Sequence, residues 1–243
     1  MALWRALLLA SAPALLFLYL FWRRDRNREP RLLVLKLFGL GVLAAVPAYF
    51  LEGWLPGPSS RLFDNFVRIG LVEEAMKLLP FLLFACRNPA FDEPMDGIVY
   101  AAAAALGFAT AENALYATVY GGDVLVYRAF TSTLAHLAFA GLWGYAWGIR
   151  RRRAGAFAAA VGLHGAYDLL LSPGEPTLRH RMTQGLPLSL LALGALLPAL
   201  LLVLYLAVRD ANLHAKGNAA NATSSMKNAT EPTPTCSDFA SRR

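Results

Sequence analysis

The 243-residue chain is 57% hydrophobic and 16% charged, with a mean hydropathy of +0.43. That apolar excess falls in long runs, which excludes an ordinary soluble core and predicts an all-α, polytopic transmembrane bundle. The formal net charge of +7 collects between the runs, as topological charge does, so no nucleic-acid partner is inferred.

Seven runs are long enough to span a bilayer: residues 6–22, 32–51, 63–86, 96–120, 124–149, 154–171 and 186–208. The first run has its charges after it and no small-x-small cleavage site at its end. It reads as an uncleaved span rather than a signal peptide. Arg23, Arg24, Arg26, Arg28 and Arg31 follow it, Arg87 follows the third run, Arg150 to Arg153 follow the fifth, and Arg209 follows the seventh. With every run crossing, all of these share one side, which the positive-inside rule makes cytoplasmic. The N-terminus is then outside and the C-terminus inside the cell membrane. Residues 1–209 make one transmembrane domain. From residue 210 the chain turns polar and reads as a disordered cytoplasmic tail. Cys86 and Cys236, with no Cys-x-x-Cys pair, exclude a thiolate zinc site.

The third run carries the chemistry. Glu73, Glu74 and Lys77 stand within one helical turn, so the ammonium meets both acids at i, i+4 and i, i+3. Each charge near a bilayer centre costs about 2.5–3.5 kcal/mol on insertion scales. The bland reading is an ion cluster that only pins neighbouring helices. Three more runs weigh against it. The fourth holds Glu112 and Asn113 with Phe108 one turn earlier, where its ring can wall the carboxylate from water. The fifth holds His136, and the sixth holds His164 with Asp168 at i+4, a spacing that lets the carboxylate orient the imidazole. At about 1.5 Å rise per residue, these groups lie about 5–18 Å below the outer ends of their spans. One pocket opening outward can hold them all. Within its own helix His136 has only Ala140 one turn on, too small to assist it.

Taken in order, Glu73-Glu74-x-x-Lys77, Phe108-x-x-x-Glu112-Asn113, His136 and His164-x-x-x-Asp168 resemble the motif series of the PrsW family. The string Phe91-Asp92-Glu93-Pro94-Met95-Asp96-Gly97-Ile98-Val99-Tyr100 resembles it too, and the match covers residues 62–171. These are bacterial intramembrane proteases, in a superfamily with the CAAX prenyl proteases and a helical subunit of gamma-secretase. The resemblance implies an intramembrane endopeptidase that cuts a membrane-anchored protein substrate near the outer face, as in site-1 cleavage of an anti-sigma-factor type of regulator. It implies Glu73, Glu74, Glu112, His136 and His164 as catalytic, with Lys77, Phe108, Asn113 and Asp168 in support. Glu73 would be the general base on water and Glu112 a second acid. By analogy with the prenyl proteases, His164 would donate to the oxyanion, Asp168 orienting it, with Asn113 as second donor. A His-Glu-x-x-His signature is missing, so metal-independent glutamate chemistry is the expectation. Zinc or another divalent metal, if used, would take His136, His164, Glu73 and Glu112. The competing class is non-enzymatic, a membrane scaffold or a transporter with a buried charged pocket. A transporter would show internal repeats, and the two halves show no convincing one.

Overall fold

A computed structural model describes residues 1–171 and 188–230, and the regular structure among them is helical throughout. Helices α1 (Leu3–Arg24) and α2 (Arg31–Trp54) are joined by a short charged turn, and each packs against the helix at Pro94–Tyr120 rather than against the other. The third run begins as α3 (Arg61–Phe63) and widens into a π-helical stretch, Asp64–Leu71. It narrows to α4 (Val72–Pro80) and widens again over Phe81–Ala85. The junction residues Phe63, Val72 and Phe81 keep right-handed helical backbone, so this is one rod with two loose sections. Then come α5 (Pro94–Tyr120), α6 (Asp123–Phe130), α7 (Ser132–Gly148), α8 (Arg153–Leu171) and α9 (Leu188–Thr230).

Five helical segments are long and apolar enough to cross a membrane on their own: α1, α2, α5, α8 and Gly194–His214 of α9. The other two expected spans are present in altered form. The third carries the charged cluster and the π-helical sections. The fifth is divided at Thr131, which leaves 17 residues in α7. The last helix runs to Thr230, so the composition change at residue 210 falls inside it. The loop 172–187 and residues 231–243, Cys236 included, lie outside the described residues.

Helix α5 is the centre. Every residue from Met95 to Thr110 is buried, and α7, α2 and α1 pack around it. Lipid gives helices no hydrophobic reason to associate, so close backbone approach has to supply the contact. The sequence provides for this with small residues. A Cβ at Gly97 would collide with the Gly144 carbonyl, and one at Gly148 with Pro94, along the α5–α7 seam. On the α2 side, Gly107 meets the Phe38 carbonyl and Gly41 meets that of Ala104. Gly70 of the first π-helical section lies against Val161 and Gly165 of α8, which brings α8 alongside the charged cluster.

The turns alternate between two ends. Asn27 of the α1–α2 turn donates to Glu93, and Gly148 abuts Pro94, so the arginine-bearing turns gather at one end. Leu3, Glu52, Tyr120, Tyr127 and Leu171 line a cavity at the other.

Candidate active site

Lys77 is fully buried at the centre of the site. Its Nζ donates to Glu73 Oε2 at 3.1 Å and to Glu74 Oε1 at 2.9 Å, and lies 2.7 Å from His136 Nδ1. An ammonium has three hydrogens, and these are three acceptors. The ring of Phe108 covers it, 4.6 Å from Nζ to the centroid. The sequence suggested that Phe108 walls off Glu112; its ring lies against Lys77 and His136.

The two adjacent glutamates have different surroundings. Glu74 is fully buried with both oxygens engaged. Oε1 faces Lys77 and His164 Nδ1, each at 2.9 Å, and Oε2 accepts from Trp143 Nε1 at 2.9 Å. Glu73 lines the cavity. Its Oε2 stands 3.6 Å from His164 Nε2 and 3.9 Å from His136 Nδ1. One acid braces the site from behind and the other faces the space where a substrate would lie.

His136 has no partner in its own helix and takes two from others. Lys77 holds Nδ1, and Glu112 Oε2 lies 2.7 Å from Nε2. Glu112 Oε1 in turn accepts from Arg128 Nη2 at 2.7 Å. Arg128 also donates to Asn113 Oδ1 at 2.6 Å and Ser132 Oγ at 2.9 Å, with its guanidinium 3.8 Å over the Tyr116 ring. The Asn113 amide nitrogen donates to Thr133 Oγ1 at 2.9 Å. Asn113, expected to help an oxyanion, therefore has both ends of its amide engaged in positioning Arg128 and α7. His164 meets Asp168 at 3.2 Å, the pairing its i, i+4 spacing predicts. Its ring stacks on Phe139 and stands edge-on to His136.

The structure thus brings Glu73, Glu74, Lys77, Phe108, Glu112, Asn113, His136, His164 and Asp168 into one site. Glu73, Phe108, Glu112 and Asp168 face a cavity of about 950 Å³ whose other walls include Leu43, Tyr49 and Tyr116. The histidines lie behind these carboxylates. Three further residues belong here. Trp143 and Arg128 are described above, and Glu52 at the end of α2 lines the same cavity. The signal for Arg128 was the buried Glu112-Asn113 pair, which needs a cation from somewhere.

Glu73, His136 and His164 each offer a ligand atom, and the three atoms lie within 4.8 Å of one another. Two imidazoles and a carboxylate make a familiar donor set for a catalytic divalent metal with one side left open. A carboxylate also lies behind each imidazole, Glu112 at His136 Nε2 and Glu74 at His164 Nδ1. Outer carboxylates of this kind orient metal-binding histidines. These residues fit a metal.

Apolar helices, small-residue seams and a buried carboxylate–histidine centre beside a cavity define a multi-pass membrane protein built around ionisable chemistry. The family model for "PrsW family intramembrane metalloprotease" matches residues 29–208. The chain is similar to Protease PrsW of Geobacillus kaustophilus, 34% identical over 68% of this chain and 78% of that one. It is similar to Protease PrsW of Shouchella clausii, 33% identical over 68% and 82%. With that of Bacillus subtilis strain 168 it shares 32% identity over 66% and 80%. No solved structure matches the chain. The chain belongs to the PrsW family, and it is an intramembrane protease acting on a protein substrate in a membrane environment.

Proposed function

We propose that the chain hydrolyses a peptide bond of a membrane-anchored protein at a centre formed by Glu73, His136 and His164, close to the outer face of the membrane. The observation that carries this reading is the position of Glu73, between two histidines and the cavity. The outer-face assignment rests on the arginine-bearing turns. They gather at the end away from the cavity, and positive charge marks the cytoplasmic side. A membrane-anchored regulator of the anti-sigma-factor type, with its cleavage site just outside the bilayer, fits such an opening.

In this reading Glu73, His136 and His164 would hold a divalent metal. When bound, such an ion acidifies water and polarises the scissile carbonyl. The chain's own residues do the rest. Glu112 and Glu74 fix the two imidazoles through their far nitrogens. Asp168, on the cavity wall beside His164, takes the proton of the attacking water and returns it to the leaving amine. Arg128 holds Glu112 in place. Leu43, Tyr49 and the other apolar walls exclude bulk water and seat an extended peptide.

A second reading has its own observation, the ammonium of Lys77 on His136 Nδ1. There Lys77 already supplies the cation, and Glu73 is the general base on water without a metal, worth about 10²–10⁴-fold. Purified protein in liposomes with a membrane-anchored substrate separates the two. The metal reading expects chelator to abolish shedding, zinc or another divalent ion to restore it, and Glu73→Gln to stay inactive. Activity that survives the chelator but is lost in Glu73→Gln selects the metal-free base. Full activity of Glu73→Gln overturns both.

A further inference from the structure

At the end of the bundle away from the cavity, the α1–α2 turn and the start of α5 bring together Asp25, Glu93 and Asp96. Asp25 is 3% exposed and Asp96 fully buried. One oxygen from each of the three lies within 4.8 Å of the others. This cluster plays no part in the chemistry proposed above.

The carboxylates are held in a particular way. Asp25 Oδ1 accepts the backbone N–H of Asn27 at 3.2 Å, while its Oδ2 is buried with no hydrogen-bond partner. Asp96 Oδ2 accepts the backbone N–H groups of Asp92 at 2.8 Å and Glu93 at 2.5 Å, and the carboxyl of Glu29 lies in hydrogen-bonding contact with the Asp96 side chain. Glu93 Oε1 accepts from the Asn27 side chain, and its Oε2 is again buried and unpartnered. Asp25 and Glu93 are thus each fixed through one oxygen and leave the other unsatisfied, while Asp96 is held by two backbone N–H groups and by the Glu29 carboxyl. A buried acceptor without a partner is costly, and more so when charged, so two of them beside a third buried acid need an explanation. Among the described residues, no lysine or arginine pairs with any of them. Glu29 adds a fourth acid, buried and accepting from the Tyr100 hydroxyl.

We propose that Asp25, Glu93 and Asp96 bind a hard divalent cation, calcium or magnesium, which ties the α1–α2 turn to the N-terminus of α5. All three donors are carboxylate oxygens, the ligand type of these ions rather than of zinc or copper. Oxygens bonded to calcium at about 2.4 Å lie up to roughly 4.8 Å apart across the ion, so the present separations suit it. The hydrogen bonds to the far oxygens act as the supporting shell that keeps ligand carboxylates aimed. The ion would fasten the end of α5 whose other end bears Glu112, making the site structural rather than catalytic.

Terbium is the probe, because it takes the same oxygen ligands and is excited by nearby aromatic rings. Trp22 donates its indole N–H to the Glu29 carbonyl at 2.8 Å and is the built-in antenna. Full-length protein in detergent, stripped with chelator, should give saturable terbium emission on excitation of tryptophan. Calcium or magnesium should displace it, the more effective competitor identifying the ion. Asp25→Asn with Asp96→Asn should abolish the signal, and Glu73→Gln should keep it, which separates this site from the catalytic centre. Should the double variant fail to fold, Glu93→Gln at its half-buried position should weaken terbium at least tenfold. Calcium or magnesium should also raise the thermal midpoint of the wild-type protein but not of Glu93→Gln. Absent or unsaturable emission, emission unchanged by Glu93→Gln, or a midpoint indifferent to both ions would overturn the proposal.

Discussion

Lys77 Nζ lies 2.7 Å from His136 Nδ1, the nitrogen that faces Glu73. The ammonium therefore stands at the place where a divalent ion would bind, and the two cations oppose each other. Lys77→Met should raise zinc affinity at least tenfold, read by competition with a chelating dye. The metal-free protein should lose about 3–5 kcal/mol, because two buried acids lose their counter-ion. Weaker zinc binding in this variant would show that Lys77 aids the metal rather than competing with it.

Arg128 bonds Glu112, Asn113 and Ser132 at once through its planar fork. A lysine keeps the charge but presents a single point of attachment. Arg128→Lys should lower turnover and metal affinity by about 10–100-fold, the usual range for an outer-shell partner. Protein accumulation should change little. Normal turnover with normal metal content would remove Arg128 from the site's support.

The glycines of the α5–α7 seam should be far less replaceable than others. Gly144→Val forces a side chain into Ala101 and the Gly97 carbonyl, whereas a Cβ at Gly162 meets nothing within 4 Å. The first variant should fail to accumulate in membranes. Gly162→Ala should match the wild type or gain up to about 1 kcal/mol, since glycine weakens a helix interior. Immunoblots of membrane fractions and thermal midpoints decide it, and equal accumulation of both would contradict the packing argument.

Topology reporters give a direct check on orientation. A reporter inserted at 56–60 should report outside, and reporters at 87–93 or after Arg243 should report cytoplasmic. The reverse pattern would place the cavity on the cytoplasmic side and change the class of substrate.

Ionisable residues in apolar runs stand out, so Glu73, Glu74, Lys77, Glu112, His136 and His164 were legible from the sequence. Contacts within one helix were legible too. The Lys77–Glu73 and His164–Asp168 pairs follow from spacing alone. Contacts between helices were not. Trp143 looks like any tryptophan in an apolar span, and only the packing of α7 on α4 brings its indole to Glu74. Arg128 looks like a charge at the outer end of a span; the division of that span at Thr131 places it over Glu112. The sequence offers Asn113 as a second donor but does not show that Arg128 and Thr133 occupy it. The acids at Asp25 and Asp96 lie 71 positions apart by number, and only the fold joins them.

The π-helical section Asp64–Leu71 sets the rotational phase of everything after it. An α-helix turns about 100° per residue. Removing one residue from this section would let it tighten into ordinary helix, leaving the run nearly as long and as apolar. Seven residues at about 100° each turn about 45° further than eight at the wider π-helical pitch of about 82°. Glu73, Glu74 and Lys77 would therefore swing about an eighth of a turn out of register with His136 and His164. Length in this segment acts as a dial: a single-residue deletion here, outside the site, should weaken the enzyme by moving Lys77 and both glutamates off the two imidazoles they meet.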